Sequence, residues 1–366
     1  MKQLFIRLGC GIDVSSKKLD VCFGGYLADG TFKIIASKAT FKNTAGDIKR
    51  LIIWINKYLS KYQGDEPIDF QVVMETTGSY HENILAALYS AQLPVCLERA
   101  DRIKKFLLSL GQFSKNDQLD AKGICRLACE RKLRLWKPFT EQTMELRGVL
   151  RQRNTLVKSR TRFKNQLHAA EAGHYANRLV KKAIKHMIKQ LDKQIEMLER
   201  EAIKLYRKDE KLQKYVSPIL RSFKGVGVLT LLTTFAETNG FEQIMSRRAL
   251  SRYAGLNVVE NQSGFVNRRT KISKRGNSRI RAILYMCAMS IIKTKEGPMY
   301  SKYIRVVERN PKAKKVAVVA LMRDVLEMIF TLFKTGQPYN PRHIWRQSQP
   351  KANSQSTAKK VPLELV

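Results

Sequence analysis

The stretch that decides the fold of the N-terminal region is GIDVSSKKLDVCF, residues 11 to 23. Two apolar segments of strand character flank a short polar turn, and Asp13 lies inside the first of them. A buried carboxylate without a partner is costly, so Asp13 requires a counter-charge, a proton or a metal ion. Its position raises the question whether other carboxylates of the chain converge on it.

Strand-like and helical segments alternate from this stretch up to residue 138. Three strand-like segments come first, and helices and strands then follow in turn. This order predicts a mixed α/β sheet with the ribonuclease-H-like layout. The segments are the strands CGIDVS, LDVCFGGY and TFKIIAS, the helix NTAGDIKRLIIWINKYLSKY, the strand FQVVME, the helix YHENILAALYSA, the strand PVCLE and a helical stretch through DQLDAKGICRLACER.

Residues 139–215 have a different character, because charged and apolar residues interleave and no proline occurs before Pro218. Several isoleucines and leucines recur there at helical spacing, which predicts long helices packed as a hairpin or a coiled coil. We expect this segment to act as a spacer and an oligomerisation element. The apolar stripe consists of Ile184, Ile188, Leu191, Ile195, Leu198 and Ile203.

Residues 216–341 predict a second globular, mostly helical domain. The sequence Lys224-Gly225-Val226-Gly227 lies between two helical patterns and is typical of a helix-hairpin-helix turn, whose glycine amides can approach a phosphate. The remaining tail, residues 342–366, is polar and low in complexity, which predicts disorder.

The charge of the chain points to a polyanionic partner. The sequence contains 68 Lys and Arg against 31 Asp and Glu, a formal net charge of +37. Phosphate neutralisation releases counterions and drives association of such a protein with nucleic acid.

Neither a membrane protein nor a secreted protein is indicated. The longest apolar run, residues 282–292, is too short to span a bilayer, and the N-terminus lacks the pattern of a signal peptide. The six cysteines form no disulfide framework and suit a reducing cytoplasm. Cys125 and Cys129 are one helical turn apart, and we interpret them as helix packing rather than as a metal site.

Three further carboxylates can meet Asp13. Glu75 ends the strand in FQVVMETTGSY, and Asp117 and Asp120 in KNDQLDAKGI are spaced to lie on one face of a helix. Four hard oxygen donors suit Mg²⁺ or Mn²⁺, and a pair of such ions polarises a phosphodiester from both sides. Each acid alone also has a structural interpretation, as a turn or helix cap or at an edge strand.

A serine in a basic segment is the second candidate. Ser263 precedes Gly264 in a predicted loop, where a hydroxyl could reach a substrate phosphate. A Ser-Gly pair is also a common turn, and no histidine nearby completes a triad. The cations expected to contact nucleic acid are Arg268, Arg269, Lys271, Lys274, Arg275 and Arg279.

The combination of these motifs resembles the insertion-sequence-110 transposases, a family that includes the Piv pilin-gene invertases. The similarity extends over residues 9 to 340. It is carried by Asp13, ETTGSY, NDQLDA, GVGVLTLLTTFAE, ALSRYAGLNVVENQSG and KISKRGNSRIRAILYMCAM.

The resemblance implies a RuvC-like domain at residues 1–138, a helical coiled-coil link at 139–215 and a C-terminal transposase domain at 216–341. It implies a metal-binding DEDD tetrad and a serine that becomes covalently linked to DNA, with the bound ions activating the serine and stabilising the departing 3′ oxygen. Carried over by motif, the tetrad is Asp13, Glu75, Asp117 and Asp120, and the nucleophile is Ser263, which directly precedes a glycine as the family pattern requires.

The resemblance also implies function and partners. The expected activity is site-specific DNA transposition or recombination by phosphodiester transesterification, in dimers or tetramers whose active sites join one subunit's tetrad to another subunit's serine. The expected partners are donor DNA, target DNA and a structured noncoding guide RNA. Three alternatives stay open: a Piv-type DNA invertase, a junction-resolving nuclease that forms no covalent intermediate, and a non-catalytic nucleic-acid-binding protein.

Overall fold

The computed structural model describes residues 5–62, 68–76, 78, 80–111, 116–173, 177–242, 244–263, 266–309 and 311–341. The predicted disordered tail, residues 342–366, lies outside these ranges. The chain divides into two compact units, residues 1–138 and 139–366. The division into three domains and a tail stays a prediction.

A five-stranded mixed sheet forms the centre of the first unit, as the sequence predicted. Its strand order is β3-β2-β1-β4-β5. The first three strands are antiparallel, whereas β1, β4 and β5 are parallel to one another. The strands are β1 (Phe5–Val14), β2 (Lys18–Leu27), β3 (Phe32–Lys42), β4 (Asp69–Glu75) and β5 (Val95–Glu98).

Helices cover both faces of this sheet. One face packs against the first two helices and the other against the next two. Because strand side chains alternate between faces, Leu8, Cys10 and Ile12 of β1 face the first pair, and Asp13 faces the second. The helices are α1 (Ala45–Tyr62), α2 (Glu82–Ser90), α3 (Ala100–Ser109) and α4 (Asp117–Glu130).

Two glycines of β1 allow α4 to lie directly against the sheet. A Cβ atom on Gly11 would lie 2.2 Å from the backbone nitrogen of Cys125, and one on Gly9 would lie 2.7 Å from Cβ of Ala128. Any other residue at these positions would push the helix away from the strand. Cys125 and Cys129 are buried in this contact, so their interpretation as helix packing is confirmed.

The second unit begins with a helical hairpin made of two long helices, α5 (Glu141–Ala172) and α6 (Arg178–Lys208). Ion pairs join the helices along their length, among them Arg153 with Glu199 and Arg160 with Asp192. The paired numbers run in opposite directions, so the helices are antiparallel. The coiled-coil geometry and the oligomerisation role stay predictions.

The remaining helices of the second unit enclose its hydrophobic core, to which Leu146 and Leu150 of α5 also contribute. The predicted turn at residues 224–227 lies between α7 and α8. Gly225 adopts φ +89°, a conformation that favours glycine. The elements are α7 (Glu210–Ser222), α8 (Val228–Thr238), α9 (Arg247–Ala254), β6 (Val258–Ser263), β7 (Val266–Ile272), α10 (Ser278–Thr294), α11 (Gly297–Arg309) and α12 (Lys314–Thr335).

Helices thus predominate over the chain as a whole, and the fold class is mixed α/β. None of the helices in the described part of the chain combines the length and the apolar character needed to cross a bilayer.

Candidate metal centre and serine hairpin

Asp13 lies near the carboxyl end of β1, on the sheet face that α4 covers. Asp20 of β2 is its direct partner in the antiparallel ladder. Directly opposed residues share a face of the sheet, so both carboxylates point towards α4. On β4, Phe70, Val72 and Met74 belong to the other face, which leaves Glu75 on the face of Asp13.

The first turn of α4 carries the other two predicted acids, Asp117 and Asp120. The helix begins there because the side chain of Asn116 accepts a hydrogen bond from the Gln118 amide at 3.0 Å. Ala121 and Cys125 pack on Gly11, near the carboxyl end of β1. The glycine contact therefore brings the acidic turn of α4 towards Asp13.

The pKa of Asp13 reports this convergence. Burial is the largest cause that raises it, and the charges of Asp117, Asp120, Glu75 and Asp20 follow, so that the pKa lies at about 6. The charges of the other three predicted acids thus act on Asp13, and these residues form the carboxylate cluster of the first unit. Asp20 is a fifth member that the sequence analysis missed, although the segment KKLDVCF also places one acid among apolar residues.

Lys18 supplies the positive charge at this cluster. Its ammonium group lies 2.7 Å from Oδ2 of Asp117 and 3.1 Å from Oδ2 of Asp20. Both contacts raise the pKa of Lys18 above its ordinary value. The hydroxyl of Thr40 donates to Oδ1 of Asp20 at 2.8 Å, so Asp20, which is only 4% exposed, has partners on both oxygens.

The donor set fits a hard divalent cation, because every acid offers carboxylate oxygens and they destabilise one another without a counter-charge. Within the described ranges, however, no three Asp, Glu, His or Cys side chains are already spaced for a metal ion. One of these acids, Asp117, is held in an ion pair by Lys18. A bound ion would have to draw the carboxylates together.

The segment around Ser263 is a β-hairpin rather than the predicted loop. β6 and β7 pair antiparallel, and Ser263, the last residue of β6, pairs with Val266. The segment begins with the β-branched residues Val258 and Val259, which favour a strand, and the Ser-Gly pair is typical of a turn. Gly264 itself lies outside the described residues.

Most of the basic residues predicted to contact phosphates lie in β7 or directly after it. Arg268 and Arg269 belong to β7, and their side chains lie outside the described part of the structure. Lys271, Lys274 and Arg275 are exposed at the hairpin base. Their role in binding nucleic acid stays a prediction.

Arg279 differs from these cations, because it lies near a buried acid that the sequence analysis missed. Glu237, at the end of α8, is 3% exposed, and its carboxylate accepts hydrogen bonds from Arg151 at 2.8 and 2.9 Å. Arg147 and Arg279 each lie 3.9 Å from the same carboxylate. Burial by itself would raise the pKa of Glu237, but the Arg151 contacts, Asn277 and Arg147 hold it below its ordinary value.

Comparison with known proteins identifies the family. A DEDD transposase model of the IS110 type matches residues 10–175, and the transposase model of the IS116/IS110/IS902 family matches residues 217–304. The pilin gene-inverting proteins of Moraxella bovis and Moraxella lacunata are each 26% identical over 340 residues, which span 91% of this chain and 97% of theirs.

One further relative and one solved structure are also similar to parts of the chain. The transposase for insertion sequence element IS1111A of Coxiella burnetii is 25% identical and spans 73% of this chain and 79% of that protein. Among solved structures, T. thermophilus RuvC in complex with a Holliday junction is 15% identical with a TM-score of 0.24, over 32% of this chain and 90% of that one. The chain belongs to the IS110 family of transposases, is related to the pilin-gene invertases, and is a DNA transposase or recombinase.

Proposed function

We propose that this protein is a site-specific recombinase of an insertion sequence that cuts and rejoins DNA through a covalent serine–DNA intermediate. In this proposal Asp13, Glu75, Asp117 and Asp120 hold Mg²⁺ or Mn²⁺, and Ser263 is the nucleophile. The observation that carries the proposal is the placement of the four acids: Asp13 and Glu75 lie on the sheet face that α4 covers, and the first turn of α4 carries Asp117 and Asp120. Such convergence is costly for a structural site and is expected of a cation site.

The four acids of the tetrad would hold the divalent ion and fix its position. Asp13 and Glu75 are fixed by the sheet, whereas Asp117 and Asp120 depend on the contact between α4 and β1. Lys18 would release Asp117 when a stronger cation binds. The divalent ion would polarise the phosphodiester and offset the charge that develops on its oxygens.

Ser263 supplies the attacking oxygen. Its Oγ forms a bond to phosphorus while the bond from phosphorus to the 3′ oxygen breaks; the serine proton passes to solvent, and the 3′ oxygen takes up a proton. One phosphodiester is exchanged for another, so a 3′ hydroxyl can attack the serine–phosphate bond and rejoin the DNA. This reversibility suits recombination.

The basic residues would bind the nucleic acids. Lys271, Lys274 and Arg275 at the hairpin base are exposed and could contact phosphates, and the turn at residues 224–227 could present its amides. The net charge of +37 can neutralise DNA and also a noncoding guide RNA. The guide RNA is part of the proposal on the strength of the family resemblance.

We further propose that the protein acts as a dimer or tetramer. Residues 1–138 would be the RuvC-like metal domain, residues 139–215 the coiled-coil spacer and oligomerisation segment, and residues 216–341 the serine-bearing transposase domain. The tetrad of one subunit would act with Ser263 of another. The α5–α6 hairpin supports the spacer role, because two antiparallel helices of about 30 residues reach about 45 Å.

Replacing Ser263 by Ala tests the nucleophile. We expect Ser263→Ala to lose the covalent protein–DNA adduct, detected as a slower band on a denaturing gel, while its affinity for DNA changes less than about twofold. The matched control is Ser278→Ala, which removes the hydroxyl of an exposed serine at the start of α10. An adduct of normal yield in Ser263→Ala would refute the assignment, and cut DNA without any adduct in the native protein would favour a junction-resolving nuclease.

DNA inversion is a second candidate, favoured by one observation. The pilin gene-inverting proteins align over 97% of their length with this chain. The two candidates share the chemistry and differ in the arrangement of the substrate. A plasmid with two inverted sites, compared with a circular donor plus a separate target, distinguishes them by the recombinant that forms.

A further inference from the structure

We propose that Glu237 is a positioning residue that fixes the base of the β6–β7 hairpin and thereby the location of Ser263. This inference rests on the proposed nucleophile but uses different residues. Glu237 lies at the end of α8, in the same unit as the hairpin, and does not belong to the carboxylate cluster of the first unit.

The carboxylate of Glu237 connects two helices to the residues that follow the hairpin. Oε1 and Oε2 accept hydrogen bonds from Arg151 of α5 at 2.8 and 2.9 Å. Oε2 also accepts from Nδ2 of Asn277 at 2.7 Å. Asn277 comes five residues after the end of β7, so this bond holds the returning arm of the hairpin.

Asn277 also forms hydrogen bonds to two other parts of the second unit. Its Oδ1 caps α10 by accepting from the amides of Arg279 and Ile280 at 2.9 and 3.2 Å. Its backbone amide donates to the carbonyl of Tyr253 at 2.7 Å. The Tyr253 hydroxyl in turn donates to the backbone carbonyl of Glu237 at 2.5 Å. Glu237, Asn277 and Tyr253 therefore form a closed ring of hydrogen bonds.

The two arms of the hairpin meet next to this ring, which includes Tyr253 before β6 and Asn277 after β7. The amide of Lys274 donates to the carbonyl of Gly255 at 3.1 Å. A Cβ atom on Gly276 would lie 2.4 Å from the backbone nitrogen of Gly255. The arms meet backbone to backbone there, so a rotation at this point moves the whole hairpin.

Because the hairpin is long, a small movement at its base would displace Ser263 by a larger distance. Ser263 lies six residues beyond Asn257, which corresponds to about 20 Å of extended strand. A tilt of about 3° at the base would then move the serine by about 1 Å, and a displacement of that size can cost about a hundredfold in rate.

Holding the hairpin base requires the negative charge of Glu237 as well as its acceptor oxygens. Arg147, Arg151 and Arg279 surround this single carboxylate. A glutamine would keep one acceptor oxygen, but without the negative charge the three guanidinium groups around it would repel one another. We therefore expect the neutral variant to loosen the hairpin base.

Glu237→Gln tests the inference in the full-length protein. We expect the rate of adduct formation at saturating DNA to fall about tenfold or more, with the dissociation constant for DNA changed less than about twofold. Hydrogen exchange at the amides of Lys274 and Asn277 should become faster. The matched control is Glu199→Gln, which removes the partner of Arg153 in the α5–α6 hairpin and should alter neither readout.

Asn277→Ser serves if Glu237→Gln does not fold. Serine keeps a helix cap but removes the amide donor to Glu237, and we expect the same fall in rate and the same faster exchange. A rate within about twofold of the native value in a folded variant would overturn the inference. A normal adduct in Ser263→Ala would instead refute the proposed nucleophile, and the exchange data would still report whether Glu237 holds the hairpin base.

Discussion

The two units each contain a cluster of charged side chains, and the clusters are unbalanced in opposite directions. In the first unit, the charges of Asp20, Glu75, Asp117 and Asp120 act on Asp13, and Lys18 forms ion pairs with Asp20 and Asp117. In the second unit, one acid, Glu237, lies among Arg147, Arg151 and Arg279.

The direction of each pKa shift shows what the imbalance does. The pKa of Asp13 is raised to about 6, which means that the folded protein disfavours its ionised form. The pKa of Glu237 is lowered despite burial, which means that its surroundings favour the ionised form. A cluster of the first kind gains stability from an added cation, whereas one of the second kind already contains its partners.

Asp13→Ala should have the largest effect and tests whether the first cluster is a cation site. Loss of a ligand removes several kcal/mol of charge stabilisation, so we expect strand exchange in Mg²⁺ to fall by about three orders of magnitude. Binding of Mn²⁺, followed by electron paramagnetic resonance, should weaken in parallel. Glu130→Gln, at the far end of α4, is the matched control. Full strand exchange by Asp13→Ala would remove the tetrad from the mechanism.

Glu237→Gln should have the next largest effect, on stability. Removing one member of a buried ion pair costs about 3 kcal/mol in free energy of unfolding, which urea titration at neutral pH can measure. Because the folded pKa is below the ordinary value of 4.5, the stabilisation is present above that pH and is lost as the pH falls through the folded pKa. The native protein and the variant should therefore converge in acid, and a difference that is independent of pH would contradict the charge argument.

The opposite sign is expected for Asp13→Asn in the absence of divalent ions. Ionised Asp13 destabilises the folded protein. This destabilisation begins as the pH rises through 3.8 and is complete above about 6. The whole shift corresponds to about 3 kcal/mol, but solvent screens a half-buried side chain, so we expect the variant to be more stable by about 1 kcal/mol. Urea unfolding in a chelator at neutral pH measures the gain, which Mg²⁺ should reverse by stabilising only the native protein. A less stable variant in the chelator would mean that the acids do not repel.

The sequence predicted the first cluster better than the second, for a physical reason. Asp13 and Glu75 interrupt apolar strands, and Asp117 and Asp120 share a helical face, so short-range periodicity marks each of them as unusual, and the family motif adds their grouping. Asp20 has the same local pattern, but only the strand register shows that it is opposite Asp13.

The grouping of arginines around Glu237 depends on contacts between residues that are far apart in the sequence. Arg151 and Glu237 are 86 residues apart, and Glu237 lies in the last turn of an apolar helix whose pattern gives no sign of a buried charge. The hairpin was missed for another reason. The polar composition of NQSGFVNRRTK favours a loop, whereas pairing of the flanking segments makes it two strands.

Lys18→Gln should have the smallest effect and sharpens the comparison most directly. If the lysine acts as the resident counter-cation of the acidic cluster, its loss leaves Asp20 and Asp117 without the ammonium contact and should tighten Mn²⁺ binding by about two- to fivefold. The control is Lys17→Gln, which removes the same charge from the adjacent turn residue and should change the affinity less. Weaker Mn²⁺ binding in Lys18→Gln would mean that the lysine orients Asp117 for the ion. The first cluster would then resemble the second, as a set of side chains held in place by its own partners.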